Sequence, residues 1–295
     1  MLVCRVNAPE WFLAGVFFSD HEMSEIKDRD QKKQKHRQSH PSRIMNMVYV
    51  LLSIAFALSL WFAITTWFDV PEFFLPSPQT VWQRFIESIQ AGILTKHTLS
   101  TFSEVMGGLS LGIVVAAVLG YTLAKSRTVE RLLAPYIVAS QSIPIVAIAP
   151  LLVIWFGSGR LSKVLISALI VFFPILVNTI VAVRSVPEDL RDLMRSLQAT
   201  HWQVFSKLEL PAAMPVLLGG LKIGATLSVI GAVVGEFVAA DEGLGFLINL
   251  ARGMYDTPMV FVAVLTLIGM ALLLYSLVAV LEIKLLYWRE DPSKS

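Results

Sequence analysis

Few residues of this chain are equipped for covalent chemistry. Its only cysteine is Cys4, which excludes disulfides, thiol catalysis and cysteine-based metal sites. The five histidines, His21, His36, His40, His97 and His201, all stand outside the long apolar runs. The stretch "GSGR" at 157–160 sets a serine between glycines, but a serine nucleophile needs a base within hydrogen-bond reach. No histidine and no pair of aspartates lies in the apolar runs, so a turn is the simpler reading and an intramembrane enzyme a remote alternative. No G-x-x-x-x-G-K-[ST] phosphate loop occurs, so the chain does not bind and hydrolyse ATP by the usual route. What remains is hydrogen-bonding chemistry beside prolines: Ser140, Gln141 and Ser142 before Pro144 in "ASQSIP", and Asn178 after Pro174. Two charges, Lys222 and Glu236, share one apolar run, about 21 Å apart along a helix.

These residues are set in a strongly apolar chain. Hydrophobic residues make up 55% and charged residues 16%, with a mean hydropathy of +0.67, outside the range of a soluble globular domain. A membrane span takes roughly 20 mostly apolar residues. Six runs qualify: 47–68, 105–123, 132–156, 164–183, 214–240 and 260–281. Runs of this length without period-2 alternation read as helices, because a backbone in lipid must satisfy its own hydrogen bonds. The fold class expected is an all-α polytopic membrane protein with six transmembrane helices.

Lys and Arg set the orientation. The tail before the first run carries Lys27, Arg29, Lys32, Lys33, Lys35, Arg37 and Arg43, and the second loop Lys125, Arg127 and Arg131. Arg184, Arg191, Arg195 and Lys207 follow the fourth run, and Lys284, Arg289 and Lys294 lie at the C-terminus. The opposite side holds only Arg84, Lys96, Arg160, Lys163 and Arg252. Both termini and the segment 184–211 are therefore expected in the cytoplasm. The net charge of +2 hides this asymmetry and gives no reason to expect nucleic acid. The first 22 residues, with "WFLAGVFF", are too short to span and lack a cleavage site. They read as the product of an upstream start with Met23 as the working one, or else as an interfacial anchor. A charge at the bilayer centre costs about 2.5–3.5 kcal/mol on insertion scales, so Lys222 is expected to snorkel inward and Glu236 to lie near the outer boundary.

The segment 184–211 is amphipathic. Ser185, Pro187 and Glu188 read as N-cap, first turn and capping box. Leu190, Leu193, Met194 and Leu197 then recur on one helical face, the pattern resumes with Trp202, Phe205 and Leu208, and Pro211 ends it. Such a helix lies on lipid head groups or docks into a groove on a soluble partner, and the residues alone leave both open.

The stretch "DLRDLMRSLQATHWQVFSKLELPAAMP" resembles the EAA loop of ABC-importer permeases, whose pattern is Glu-Ala-Ala, three residues, Gly, nine residues, Ile, one residue, Leu-Pro. Asp192, Leu193 and Met194 stand in the place of Glu-Ala-Ala, Gln198 replaces the Gly, Leu208 replaces the Ile, and Leu210 and Pro211 match. The resemblance runs from about 98 to 286. It implies a type I importer permease in the cell membrane, whose coupling helix docks on an ATPase through Asp192, Leu193, Met194, Leu197, Gln198, Leu208 and Pro211. It implies further a cytoplasmic ABC ATPase dimer, a second permease copy in a homo- or heterodimer, and an extracytoplasmic solute-binding protein delivering a small-molecule solute. The chain itself would be non-catalytic and hold no cofactor or metal, ATP and Mg being used by the partner ATPase. The expected organisation is a basic tail (1–46), a first span with an external amphipathic segment (47–97), the permease domain (98–286) with its coupling loop (184–211), and a short tail (287–295). The family often has a basic residue and a glutamate where Lys222 and Glu236 stand, which suggests an architectural role for both.

Candidates for the translocation path are Ser140, Gln141, Pro144 and Asn178, together with Gly224 and Ser228. The last two belong to a stripe through Gly220, Gly224, Ser228, Gly231 and Gly235, which reads as close helix packing or as a backbone lining beside the path. Outside, Ser77 and Pro78 start an amphipathic helix bearing Trp82, Phe85, Ile86 and Ile89. This helix and the loop 241–256 offer surfaces for a binding protein. The resemblance is to the permease group for nitrate, sulfonates, taurine and vitamins or their precursors. "SQSIPIVAIAPLLVIWFG" and "FFPILVNT" look most like permeases for riboflavin or the thiamine pyrimidine precursor. Only Lys222 adds a basic group to the expected core, which favours a vitamin-like heterocycle over nitrate, sulfonate or taurine.

Overall fold

The computed structural model describes residues 43–68 and 71–287. Cys4, the Met23 start, the basic tail before Arg43 and the tail from 288 lie outside the described residues. Every regular element described is helical. Helix α1, Arg43–Trp67, is apolar on all sides, with Leu52, Phe56 and Leu60 exposed, as suits a segment in lipid.

The rest of the described chain contains α2 (Pro78–Gln90), α3 (Ile93–Lys125), α4 (Arg127–Gln141), α5 (Ile145–Phe156), α6 (Arg160–Arg184), α7 (Glu188–Ser196), α8 (His201–Val204), α9 (Leu210–Val238), α10 (Leu244–Gly253) and α11 (Thr257–Leu285). Among the described residues four helices are long and apolar enough to cross a membrane: Ile93–Lys125, Arg160–Arg184, His201–Val238 and Thr257–Leu285. The pair α4 and α5 makes a fifth if counted as one broken span.

Helix α6 is held between α3 and α9, and α11 packs on α9. Small residues make this close approach possible. On α9, a Cβ at Gly231 would sit 2.5 Å from the Ser167 Cα, and one at Gly220 would sit 2.8 Å from the Asn178 Cβ. On α3, Gly108, Gly112 and Gly120 meet Ser167, Val171 and Thr179 in the same way. Ser167 Oγ also donates to the Ser228 carbonyl at 2.9 Å, closing the α6–α9 seam without leaving a buried hydroxyl unpaired.

Several boundaries differ from the sequence expectation, each for an identifiable reason. The run 132–156 is two helices bent by 91° rather than one continuous helix. Pro144 has no N–H and disfavours helix in the residue before it. The second span begins at Ile93, not near 105, because His97, Thr101 and Glu104 are buried against partners instead of facing water. Pro211 does not end its helix. The chain passes from α8 through a π-helical turn, Phe205–Glu209, into α9 with the proline in its first turn, where a missing N–H costs least. Ser185 caps the end of α6, with its Oγ donating to the Ala182 carbonyl at 2.8 Å, so the expected box with Glu188 does not form. The box forms instead between Thr200 and Gln203. Ser77 caps α2 as expected.

Candidate functional site

The segment between α6 and α9 is a short platform held on one side only. Helix α7 buries none of its residues. Leu193 and Leu197, 53% and 68% exposed, turn an apolar surface away from the body beside Leu190, and Met194 is half-buried. Asp192 and Gln198 are also exposed, with Asp192 accepting from Arg195 at 2.9 Å. Leu208 and Pro211 lie apart from this face, half-buried in and just after the π-helical turn.

What fixes the platform is a residue that periodicity assigned no task. Arg191 Nη2 donates to the Val183 carbonyl at 2.7 Å and lies 3.6 Å from Glu209 Oε1. Glu209 is 1% exposed. It accepts from Lys125 Nζ at 2.5 Å and from Tyr121 Oη at 3.0 Å. One buried carboxylate thus joins the end of α3, the start of α7 and the π-helical turn. Lys125 and Tyr121 supply hydrogen bonds to it, and the nearby Arg191 adds positive charge, which together offset the cost of burying the carboxylate. The sequence signal was slight: an isolated acid between Leu208 and Leu210.

The end of α7 explains how the chain turns without the family's glycine. Gln198 has φ +50°. Its N–H donates to the Arg195 carbonyl at 2.9 Å, and the Ala199 N–H donates to Met194 at 3.0 Å. These two bonds form a Schellman cap with a non-glycine residue in the left-handed position.

At the break between α4 and α5, Gln141 and Asn178 are brought to one pocket of about 380 Å³, shared with Ile145, Ile170, Phe173, Pro174 and Val177. Asn178 Nδ2 donates to the Pro174 carbonyl at 2.8 Å. Ser140 does not line this pocket. Its Oγ turns back to the Tyr136 carbonyl at 2.7 Å, and Pro144 serves as the N-cap position of α5. Gly224 and Ser228 are buried in the α6–α9 seam, where Gly224 faces Ile175 and Val171. Packing accounts for both.

A second polar cluster occupies the opposite end of the bundle, and the sequence reading missed most of it. Lys163 of α6 and Glu104 of α3 form a buried ion pair at 2.9 Å. Glu236 is buried in the last turns of α9. It accepts from Thr101 Oγ1 at 2.6 Å and from the Gly245 N–H at 2.5 Å. Thr101 in turn accepts from the Leu244 N–H at 2.7 Å, and His97 Nδ1 from the Gly243 N–H at 3.0 Å. Side chains from α3 and α9 therefore satisfy the open N–H groups at the start of α10, and the carboxylate complements the helix dipole. Gly243, at φ +121°, leaves no room for a side chain, since a Cβ would lie 2.2 Å from the Glu236 carboxyl carbon. The signal for this cluster was the continuation of the α3 small-residue face outward through Glu104, Thr101 and His97. Lys222 pairs with Glu282 of α11.

On the surface near this end, Arg84 of α2 donates to Asp256 through Nε at 3.0 Å and Nη2 at 2.5 Å. The carboxylate holds the guanidinium above its ordinary pKa. Lys96 and Glu242 pair at 2.8 Å, and this ammonium keeps the Glu242 carboxyl below its ordinary value. Trp82, Ile86 and Ile89 of α2 are exposed.

Comparison with known proteins places this geometry. Residues 108–287 match the family of binding-protein-dependent transport system inner membrane components. The chain is 48% identical over 218 residues to the riboflavin transport system permease protein RibX of Chloroflexus aurantiacus, covering 74% of this chain and 81% of that protein. It is 37% identical over 218 residues to the formylaminopyrimidine transport permease protein ThiX of Halalkalibacterium halodurans, covering 74% and 87%. Its fold is similar to a chain of the inward-facing MetNI methionine ABC transporter, with a TM-score of 0.58 at 18% identity, over 66% of this chain and 97% of that one. An exposed apolar platform anchored to a glycine-packed helical bundle thus belongs to a non-catalytic membrane subunit, and the chain is a member of the inner-membrane permease family of binding-protein-dependent ABC transport systems.

Proposed function

We propose that this permease crosses the membrane six times with both termini in the cytoplasm, and that α7 is its coupling helix. It works beside a second permease copy, over two cytoplasmic ATPases, and receives solute from a binding protein outside. Closure of the ATPases on ATP draws the two α7 helices together, and the bundle passes from facing outward to facing inward. The observation that carries this reading is the apolar surface of Leu193 and Leu197, left exposed while Arg191 ties the opposite face of α7 to Val183. Burying a leucine contributes about 1.5–3 kcal/mol, so a groove on a partner would hold this surface well. A vitamin-like heterocycle is the favoured cargo, supported by the likeness to a riboflavin permease at 48% identity.

Leu193→Asp and Leu197→Asp test the coupling. Each removes apolar burial and adds the cost of desolvating a charge, so the ATPase should no longer co-purify while membrane insertion persists. Retained co-purification together with solute-stimulated ATP hydrolysis would falsify the docking assignment. For cargo, the cognate binding protein is titrated calorimetrically with riboflavin, hydroxymethylpyrimidine, nitrate and taurine. Binding of nitrate or taurine with no response to either heterocycle would reverse the substrate reading.

A further inference from the structure

We infer that the pocket between the α4–α5 break and α6 is a resting site on the translocation path for an uncharged, flat heterocycle, with Phe173 taking the ring face and Gln141 and Asn178 its amide or imide edge. This rests on the importer reading and adds to it a place and a mode of recognition.

Three observations carry it. The first is shape: about 380 Å³ falls at the small end of small-molecule sites. The pocket lies where a spanning helix is interrupted and bent by 91°, the kind of discontinuity that opens backbone and polar groups to a solute in the membrane. The second is the polar complement. Asn178 is held in place, since its Nδ2 donates to the Pro174 carbonyl and its Cβ lies against Gly220, where any larger residue would collide. Its Oδ1 is left to accept. Gln141 is exposed, and its amide makes no hydrogen bond among the described residues, so it offers both a donor and an acceptor. Together they match the alternating N–H and C=O groups of a ring amide or imide. Phe173, braced edge-on by Phe172 at 4.9 Å, provides a fixed aromatic wall.

The third observation concerns charge. None of the lining residues is ionisable. A nitrate or sulfonate in this pocket would surrender its hydration without meeting a cation, whereas a neutral ring exchanges water for the two amides at little cost. The site therefore discriminates by what it lacks as well as by what it presents.

The test uses the whole transporter, permease with its ATPase and binding protein, in proteoliposomes, with riboflavin, hydroxymethylpyrimidine, nitrate and taurine as probes. Gln141→Leu removes the free amide from an exposed position where folding is not at stake, and Phe173→Leu removes the aromatic wall. Uptake of the heterocycle should fall about fivefold to tenfold in each, the scale of one lost hydrogen bond or stacking contact, and Gln141→Asn should restore part of it. ATP hydrolysis stimulated by the loaded binding protein should persist, because coupling is untouched. Wild-type uptake in both variants would overturn the inference and leave the importer reading standing. ATP-driven uptake of nitrate or taurine by the wild-type complex would overturn it too. A wild-type complex that moves none of the four probes under ATP would defeat the vitamin-importer reading and the inference with it.

Discussion

Lys163 on α6 and Glu104 on α3 face each other at 2.9 Å with almost no exposure to solvent. An ion pair in this position is indispensable once built and poorly rewarded for being there. Removing one member leaves a buried charge alone, at a cost of about 3–5 kcal/mol, whereas replacing both with apolar residues of similar volume is often neutral or better. Glu104→Leu and Lys163→Met should each lower the thermal unfolding midpoint of the detergent-solubilised permease sharply, and the double variant should recover most of the loss. Single variants as stable as wild type would show that water reaches the pair.

Gln198 occupies a left-handed conformation that a side chain tolerates poorly, at about 1–2 kcal/mol for a residue with a Cβ. Gln198→Gly should therefore tighten the end of α7 by about 1 kcal/mol. Slower amide hydrogen exchange through residues 193–199 is the expected signature. Gln198→Val, branched at Cβ, should speed the same exchange.

Glycines on α9 are not equivalent. A methyl group at Gly231 would press on the backbone of Ser167, while at Gly219 it would meet nothing within 4 Å. Gly231→Ala should destabilise the bundle by about 1–3 kcal/mol through overpacking. Gly219→Ala should gain about 0.5–1 kcal/mol from helix propensity alone. Equal unfolding midpoints for the two variants would mean that α6 and α9 can move apart freely.

Glu242 and Lys96 provide a pH reading at the surface. The ammonium depresses the Glu242 carboxyl below its ordinary 4.5, so the pair is complete above that value. It is lost as pH falls through the lower, folded-state value, where protonation removes the negative charge. Carboxyl-carbon NMR titration should place the Glu242 midpoint below 4.5, and Lys96→Met should move it back up. No change in the midpoint on losing Lys96 would show that the contact does not form in solution.

Apolar run length, read in one dimension, was enough for a polytopic helical membrane protein, because it responds to the bilayer and not to particular neighbours. The spacing of Leu190, Leu193, Met194 and Leu197 was enough to mark an amphipathic segment, and the segment's likeness to a known loop led to the family that residues 108–287 match. Tertiary structure alone decided where charges are paid for inside the bundle. Glu104, Lys163 and Glu209 all lie outside the apolar runs read from hydropathy, yet each is buried beside a partner 59 to 84 residues away. It also decided which side of α7 is free, since Arg191 reads as one more solvated cation until the Val183 carbonyl and Glu209 are placed beside it. The physical reason is common to both. Hydropathy sums the transfer cost of a residue from water, whereas the cost of a charge or a broken helix in a packed bundle depends on the group that meets it, and sequence separation does not record that meeting.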